Sequence, residues 1–548
     1  MDILLILASG LTLIVFGVLW VQKRFTYWKK MGIPYEVPHF LYGNLKGVGQ
    51  YDHDGLLTQK FYEKFKGISP IVGVYYSIKP VAIFIDINLI KDILIKDFAS
   101  FHDRGIYYNE RDDPLSTHLI SLPGGKWKQL RNTCSPAFTS LKMKTMFSTM
   151  MEVGVKLEKK IDQVCKSGKA LDIKKVMSLF TMDVIGSCAF GLETNSLEDE
   201  NNEFFRMGIS VFDNPRYSTR STFVLQAFRG YARKLRLKLF RDEVIKFYTD
   251  LVRNTIDYRL KKKEGRNDFM QILIQLHTSK GEDNLSFNEV LGQTFVFHIA
   301  GFEASASILQ FCFYELACNP DIQNRLRHHI NQVLRKHDGE VTYEAIMDMK
   351  YLDQVVNETL RKNPPFGMLS RETTLNYKIP GTDCILEKGT SLHIPIYAIH
   401  HDPEFYPNPS KFNPDNFSEE AVKNRHPIAF LPFGAGPRAC IGVRFGMMQV
   451  KLGVITGLRK FKYTLSPKTR QPIKLQSKFF VAQPEGGCFV DSDRGTTIKK
   501  CEDVIGNPLT YRPDTAPTAT INGTVDFGHT HPLRLLEALK QDVIEKMT

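Results

Sequence analysis

Residues 433–442 read FGAGPRACIG, a cysteine near the end of a glycine-rich loop that also carries one arginine. Each residue type has a task if Cys440 is the thiolate ligand of a haem iron. A thiolate pushes electron density onto the iron and favours O–O cleavage. It needs shielding and a tuned potential, which contacts around the sulfur supply. Gly434 and Gly436 permit tight turns and close approach of backbone amides. Phe433 can pack beside the sulfur, Gly442 lets the next helix lie close to the macrocycle, and Arg438 is placed to meet a haem propionate by a charge-assisted bond. The plain alternative is a glycine-rich turn with an incidental buried cysteine. A lone Gly-Cys pair favours it; five specified positions (Phe433, Gly436, Arg438, Cys440 and Gly442) argue against it.

Three further spacings bear on chemistry. Glu358 and Arg361 in NETLR lie three apart and share a helix face, which taken alone is a surface pair worth a few tenths of a kcal/mol. Trp127 and Arg131 in WKQLR lie four apart and taken alone fit any amphipathic helix. Residues 300–305 read AGFEAS inside an apolar stretch that starts near Phe295.

The elements that must position these residues are mainly helical. Segments 141–165, 243–263, 287–318 and 349–362 carry apolar residues at i, i+3, i+4 spacing. Short β-branched or aromatic runs at 70–85 and 378–395 predict a minor sheet. The 548 residues contain no fixed-period repeat and no Gly/Ser linker, so one large domain is the economical reading. The nine cysteines are scattered and include no CxxC pair, which excludes a disulfide framework and fits a reducing compartment. A net charge of +13 suits an anionic membrane surface or an acidic protein partner. Without zinc-finger spacing or a long basic run, nucleic acid is the weakest partner.

Ile3 to Val21 carries no charge, and Lys23, Arg24, Lys29 and Lys30 follow it. As a helix the run is about 28 Å long, close to the apolar thickness of a bilayer. Positive charges after the run, rather than before it, predict a retained single-pass anchor with the following chain on the cytosolic face. Trp20, Tyr27 and Trp28 are expected at the interfacial belt, and Gly32, Pro34 and Pro38 as a helix break and stiff hinge.

The loop at 433–442 resembles the haem-binding signature of the cytochromes P-450. NETLR looks like that family's ExxR pair, WKQLR like its Trp-x-x-x-Arg element, and AGFEAS like the motif of the long helix over the haem. FHDRGIYYNERDDPLSTHL, FTMDVIGSCAFG, RNDFMQILIQL and Gln354–Arg361 resemble the insect microsomal branch called family six, related to vertebrate family three. The resemblance runs from the amino terminus to about residue 494.

It implies a cytochrome P-450 fold, mainly α with a minor β-sheet. The expected organisation is an anchor over 1–22, a basic proline hinge over 23–50, a haem domain over 51–494 and an atypical tail over 495–548. It implies haem b with O2, and NADPH acting indirectly through cytochrome P-450 reductase, with cytochrome b5 as a further partner, at the endoplasmic reticulum membrane. Lipophilic xenobiotics such as plant toxins or insecticides, or endogenous hormones, are the implied substrates. Trp127, Arg131, Arg371 and Arg104 are the implied propionate contacts, and Glu358 and Arg361 a buried structural pair. Lys126, Lys128, Lys142, Lys144, Arg444 and Lys451 are a candidate docking face for an acidic flavin domain. Phe101, Tyr107, Tyr108, Phe212, Phe297, His298, Phe302 and Phe366 to Leu369 are candidate substrate contacts.

Two positions depart from the family's pattern. Asn416 stands where an arginine normally completes the ExxR network, so that network is weakened or rebuilt. Ala300 and Gly301 match the small pair that makes room for dioxygen and Glu303 matches the acid, but Ala304 replaces the usual threonine. Ser305 lies about 100° further round the helix and is no simple substitute. Raised release of H2O2 relative to product is expected, unless ordered water and Glu303 deliver protons unaided. Ala304 also leaves room for a haem-thiolate isomerase or lyase acting on peroxides, and Ala304 with Asn416 for a haem protein without turnover. In the tail, the Asn522-Gly523-Thr524 sequon, the His529/His531 pair and an amphipathic helix over 532–547 are noted without an assigned role.

Overall fold

The computed structural model describes residues 2–262, 268–281, 284–478 and 480–494. The tail features fall outside the described residues.

Helix α1 (Asp2–Arg24) carries the uncharged run. Its apolar side chains face outward: Leu13 is 73% and Phe16 67% exposed. An apolar helix with no protein against it is a candidate membrane anchor. The chain after it differs from a hinge. Trp28 is fully buried and its Nε1 donates to the Val74 carbonyl at 3.0 Å. Glycine at 73 is what admits the indole, since a Cβ there would meet Trp28 Cγ at 2.2 Å. The Gly73 amide donates to the Pro34 carbonyl and the Glu36 amide to the Gly73 carbonyl, so the proline segment is sewn to a sheet. Trp28 is therefore part of the folded body and not of an interfacial belt.

That sheet has four strands. Strands β1 (Ile71–Tyr76) and β2 (Lys79–Phe84) form an antiparallel hairpin, β3 (Leu369–Glu372) pairs with β4 (Ser391–Ile394), and β4 joins β2 in parallel. The strand order is β1-β2-β4-β3. With helix α2 (Asp54–Phe65) it closes over the smaller of two main apolar cores.

The larger core is helical. Helices α3 (Gly124–Cys134), α4 (Ser140–Lys166), α5 (Ile173–Ile185), α6 (Phe287–Cys318), α7 (Lys350–Lys362) and α8 (Val443–Lys460) build it. On α4, Met143, Met146, Phe147, Met150 and Leu157 are buried at helical spacing. Helix α6 opens on a capping box: the Glu289 amide donates to Ser286 Oγ, and the Ser286 amide to Glu289 Oε2 at 2.9 Å. It is long and apolar enough to cross a membrane, but 72% of it lies inside the body, so it is a core helix.

Candidate haem-thiolate site

The cysteine loop is fixed by its own backbone. The Cys440 amide donates to the Phe433 carbonyl at 2.9 Å, and the Gly434 amide to the Leu431 carbonyl at 3.0 Å. Gly436 has φ of +71°, and a Cβ there would lie 1.9 Å from the Leu94 carbonyl oxygen, so only glycine fits. Gly442 is less constrained: an added Cβ would meet only Phe138, at 3.8 Å.

Cys440 opens into a cavity of about 570 Å³ that Phe433, Gly442 and Phe445 also line. Its enclosed setting raises the thiol pKa. The Gly442 amide, which donates to the sulfur, and the charges of Arg104 and Arg131 oppose that rise. These opposing influences favour a thiolate only when a further positive charge faces it.

Four guanidiniums (Arg104, Arg131, Arg371 and Arg438) line the same cavity together with Trp127. Arg438 lies 4.1 Å above the Trp127 ring and donates to the carbonyls of His102, Leu119 and Leu122. Arg104 donates to the Arg438 carbonyl at 3.0 Å and Arg131 to the Ala439 carbonyl at 2.7 Å, which ties both to the cysteine loop. The nearest carboxylate to Arg438 is Asp103, at 3.9 Å. Burial, and then the other guanidiniums, lower the pKa of Arg438 to about 8 and of Arg371 to about 9. Arg104 Nε and Arg371 Nε and Nη2 are buried without an acceptor among the described residues. Buried donors in that state are costly.

A haem fits this donor set. Its two propionates would supply the missing acceptors and counter-charge, and Cys440 would supply a thiolate ligand to its iron. Among the described residues no group of three or more His, Cys, Asp or Glu could hold a metal ion, so a single thiolate suits an iron that brings its other ligands with it.

The wall opposite is α6. Ala300, Gly301, Ala304 and Ser305 line the cavity. Gly301 is also required by packing: a Cβ would meet Ile185 Cδ1 at 2.6 Å. Glu303 does not line it. It is buried against Lys174, with which it pairs, and accepts from Gln483 Nε2 at 2.6 Å.

Glu358 and Arg361 are both fully buried and joined by two bonds, Arg361 Nε to Oε2 at 2.7 Å and Nη2 to Oε1 at 2.8 Å. Arg361 also donates to the His400 and Pro409 carbonyls. The arginine absent at 416 is replaced by a rebuilt network. Asn416 Nδ2 reaches both Glu358 oxygens at 3.2 Å, and Arg425 donates to the Asn416 carbonyl while stacking on Tyr406 and Phe417.

Of the expected substrate contacts, Phe297, Phe366 and Leu369 line the cavity. Phe101, Tyr107, Tyr108, Phe212, His298 and Phe302 do not, and each has another neighbour. Phe101 packs edge-on to Tyr377 at 4.7 Å. Tyr107 donates to the Leu237 carbonyl, and Tyr108 lies under Arg233. Phe302 meets Phe212 and His298, and His298 bonds Tyr248 Oη at 2.6 Å. Sequence reasoning missed Phe138, Phe223, Phe269 and Phe480, which come from four separate segments and carry no shared periodicity. It also misplaced Lys451 on the basic face; that ammonium is buried and paired with Asp353.

Fold and site together describe a mainly helical protein in which a cysteine loop, four guanidiniums and an apolar helix wall share one cavity. A cytochrome P450 family model matches residues 33–489, and the chain belongs to that family, whose members are haem-iron monooxygenases using O2. The chain is 44% identical over 488 residues to probable cytochrome P450 6a14 of Drosophila melanogaster, covering 86% of this chain and 96% of that one. It is 45% identical over 484 residues to probable cytochrome P450 6a13 of the same fly, covering 87% and 97%. Against cytochrome P450 6A1 of Musca domestica it is 40% identical over 479 residues, covering 86% and 94%.

Proposed function

We propose that this chain hydroxylates lipophilic small molecules, foreign compounds such as plant toxins or insecticides among them, using electrons from NADPH delivered by a membrane-bound flavoprotein reductase. The balance is one C–H bond, O2, NADPH and a proton converted to a C–OH group, water and NADP+. The observation that carries the reading is one cavity with a cysteine thiol in a rigid loop, four guanidiniums at its edge of which Arg104 and Arg371 have buried nitrogens without an acceptor among the described residues, and an apolar wall across from them.

When bound, haem supplies reductive activation of dioxygen and transfer of one oxygen atom to substrate. The protein's part is positional. Cys440 would ligate iron, with its charge held by the Gly442 amide and by Arg104 and Arg131. Arg104, Arg131, Arg371 and Arg438, with Trp127, would hold the propionates. Phe297, Phe366 and Leu369 present apolar surface that excludes water and favours lipophilic substrates. Ala300, Gly301 and Ala304 leave the space above the thiol free of side-chain bulk. Glu303 would act on protons only through Gln483 or Lys174, because its carboxylate faces those side chains. Helix α1 would anchor the chain in the endoplasmic reticulum membrane.

Reconstitution with purified reductase tests this reading. Substrate-dependent NADPH oxidation with hydroxylated product supports it. Conversion of an organic hydroperoxide without NADPH would favour the isomerase or lyase reading, and a thiolate haem spectrum with no turnover of any substrate tried would favour a haem protein without catalysis.

A further inference from the structure

The helix that follows the cysteine loop, α8, lies close against α6 because glycines face it. A Cβ at Gly453 would meet Leu309 Cδ2 at 2.9 Å, and one at Gly457 would meet Phe313 Cζ at 2.4 Å. Gln449 stands one turn before Gly453 and one turn after Gly446, so it shares that face. It is fully buried. Its Nε2 donates to the Gly301 carbonyl at 3.0 Å, while its Oε1 is buried with no donor among the described residues. A buried amide oxygen in that state is costly unless a polar group or a water meets it.

Gly301 and Ser305 lie four apart on α6, and both line the cavity beside Ala304. A serine inside a helix often turns its hydroxyl back to the carbonyl four residues before it. For Ser305 that carbonyl belongs to Gly301, and the lone pair left over from the helix is taken by Gln449. Ser305 Oγ makes no hydrogen bond among the described residues. It faces α8: a Cβ added at Gly446, itself a cavity-lining residue, would lie 3.9 Å from it. Gly301, Ser305, Gly446 and Gln449 thus meet at one crossing of the two helices, with its edge open to the cavity. Glu303 takes no part there, since its carboxylate is held by Lys174 and Gln483.

We propose that this crossing holds a water molecule between Gln449 Oε1 and Ser305 Oγ, and that Ser305 supplies protons to dioxygen being reduced in the cavity, in place of a hydroxyl at 304. Ser305 gives up its proton and regains one from the water, which regains one from solvent. That proton is one of the two that leave with the second oxygen atom as water, so the balance already given needs no further oxidant or reductant. Gln449 is a positioning residue. It occupies the Gly301 carbonyl, which frees the Ser305 hydroxyl, and it fixes the water. A hydroxyl at 304 would act more directly, so this route limits the loss of H2O2 without abolishing it. The inference rests on the haem-thiolate monooxygenase reading.

The test compares the haem-loaded full-length protein in lipid nanodiscs with Ser305→Ala, Gln449→Met and the double variant. Two quantities are read. One is H2O2 released per product with purified reductase and 7-ethoxycoumarin as the lipophilic probe. The other is the C–O stretching frequency of the reduced carbon-monoxide adduct, which falls when a hydrogen-bond donor faces the bound gas. Losing one hydrogen bond predicts a rise of about fivefold in the H2O2 ratio for either single variant, with no further rise in the double variant. The stretch should move to the same higher frequency in all three. Ratios that multiply in the double variant, or a stretch that moves in neither single variant, overturn the proposal. If Gln449→Met fails to fold, Ser305→Ala alone decides by the same two readings. No thiolate-type carbon-monoxide band in the parent overturns the monooxygenase reading and this inference with it; a band with an unmoved stretch overturns this inference alone.

Discussion

Ala304 lies on the cavity wall with no hydroxyl to offer, and the acid beside it, Glu303, is engaged by Lys174 and Gln483 away from that wall. Position 304 therefore offers no proton-delivering group, and the cavity-lining hydroxyl on this stretch of helix is that of Ser305. Ala304→Thr should lower the H2O2 released per product formed; an unchanged ratio would mean that water and Glu303 suffice. Glu358 makes the opposite argument, for rigidity. Its carboxylate accepts from Arg361, Asn413 and Asn416 in a fully buried setting. Glu358→Ala leaves a buried guanidinium unpaired, which costs about 3–5 kcal/mol. The expected outcome is a sharply lowered melting temperature with loss of haem; a melting temperature within a degree or two of the parent contradicts the network's role. At this scale the sequence was legible where spacing carries information. The loop at 433–442 and the pairs at 358/361 and 127/131 come together because local backbone sets their geometry. The aromatic substrate candidates were not legible, because residue type does not say which way a ring points: Phe297 faces the cavity, while Phe302, on the same helix, faces Phe212.

Helix boundaries were readable from apolar periodicity, as α4 and α6 show: the expected 141–165 and 287–318 lie at Ser140–Lys166 and Phe287–Cys318. The segment after α1 was not readable. Prolines and lysines suggested a hinge, but tertiary packing of Trp28 against Gly73 overrides that local signal. Two truncations separate the elements. Removing residues 2–24 should leave a folded body with reduced membrane association, measured by flotation with liposomes. Removing residues through Trp28, or making Trp28→Ala, should cost about 3–5 kcal/mol, measured by denaturant unfolding, because a buried indole leaves a large cavity. Equal stability of both truncations would show that 23–50 is a hinge after all.

Across the whole molecule, His118, His298, His393 and His400 are buried and His401 is partly buried, and all five are held neutral, with desolvation the largest cause in each; the values fall to about 3 for His118 and His298 and about 4 for His393 and His401. Their unfolded-state value lies near 6.5. The unfolded chain therefore takes up protons below pH 6.5 that the folded chain refuses, so stability is fully present above that pH and falls as pH drops toward 4. Each such histidine contributes up to about 1.4 kcal/mol per pH unit in that window. Melting temperatures that stay flat between pH 7 and 5 would contradict this burial. Haem binding by this chain turns on Cys440, its rigid loop and the arginines beside it. The most direct measurement is the reduced carbon-monoxide difference spectrum of the parent and of Cys440→Ser. A thiolate-type Soret band in the parent that is lost in the variant is the predicted result; no such band in the parent, or the same band in both, would contradict the assignment.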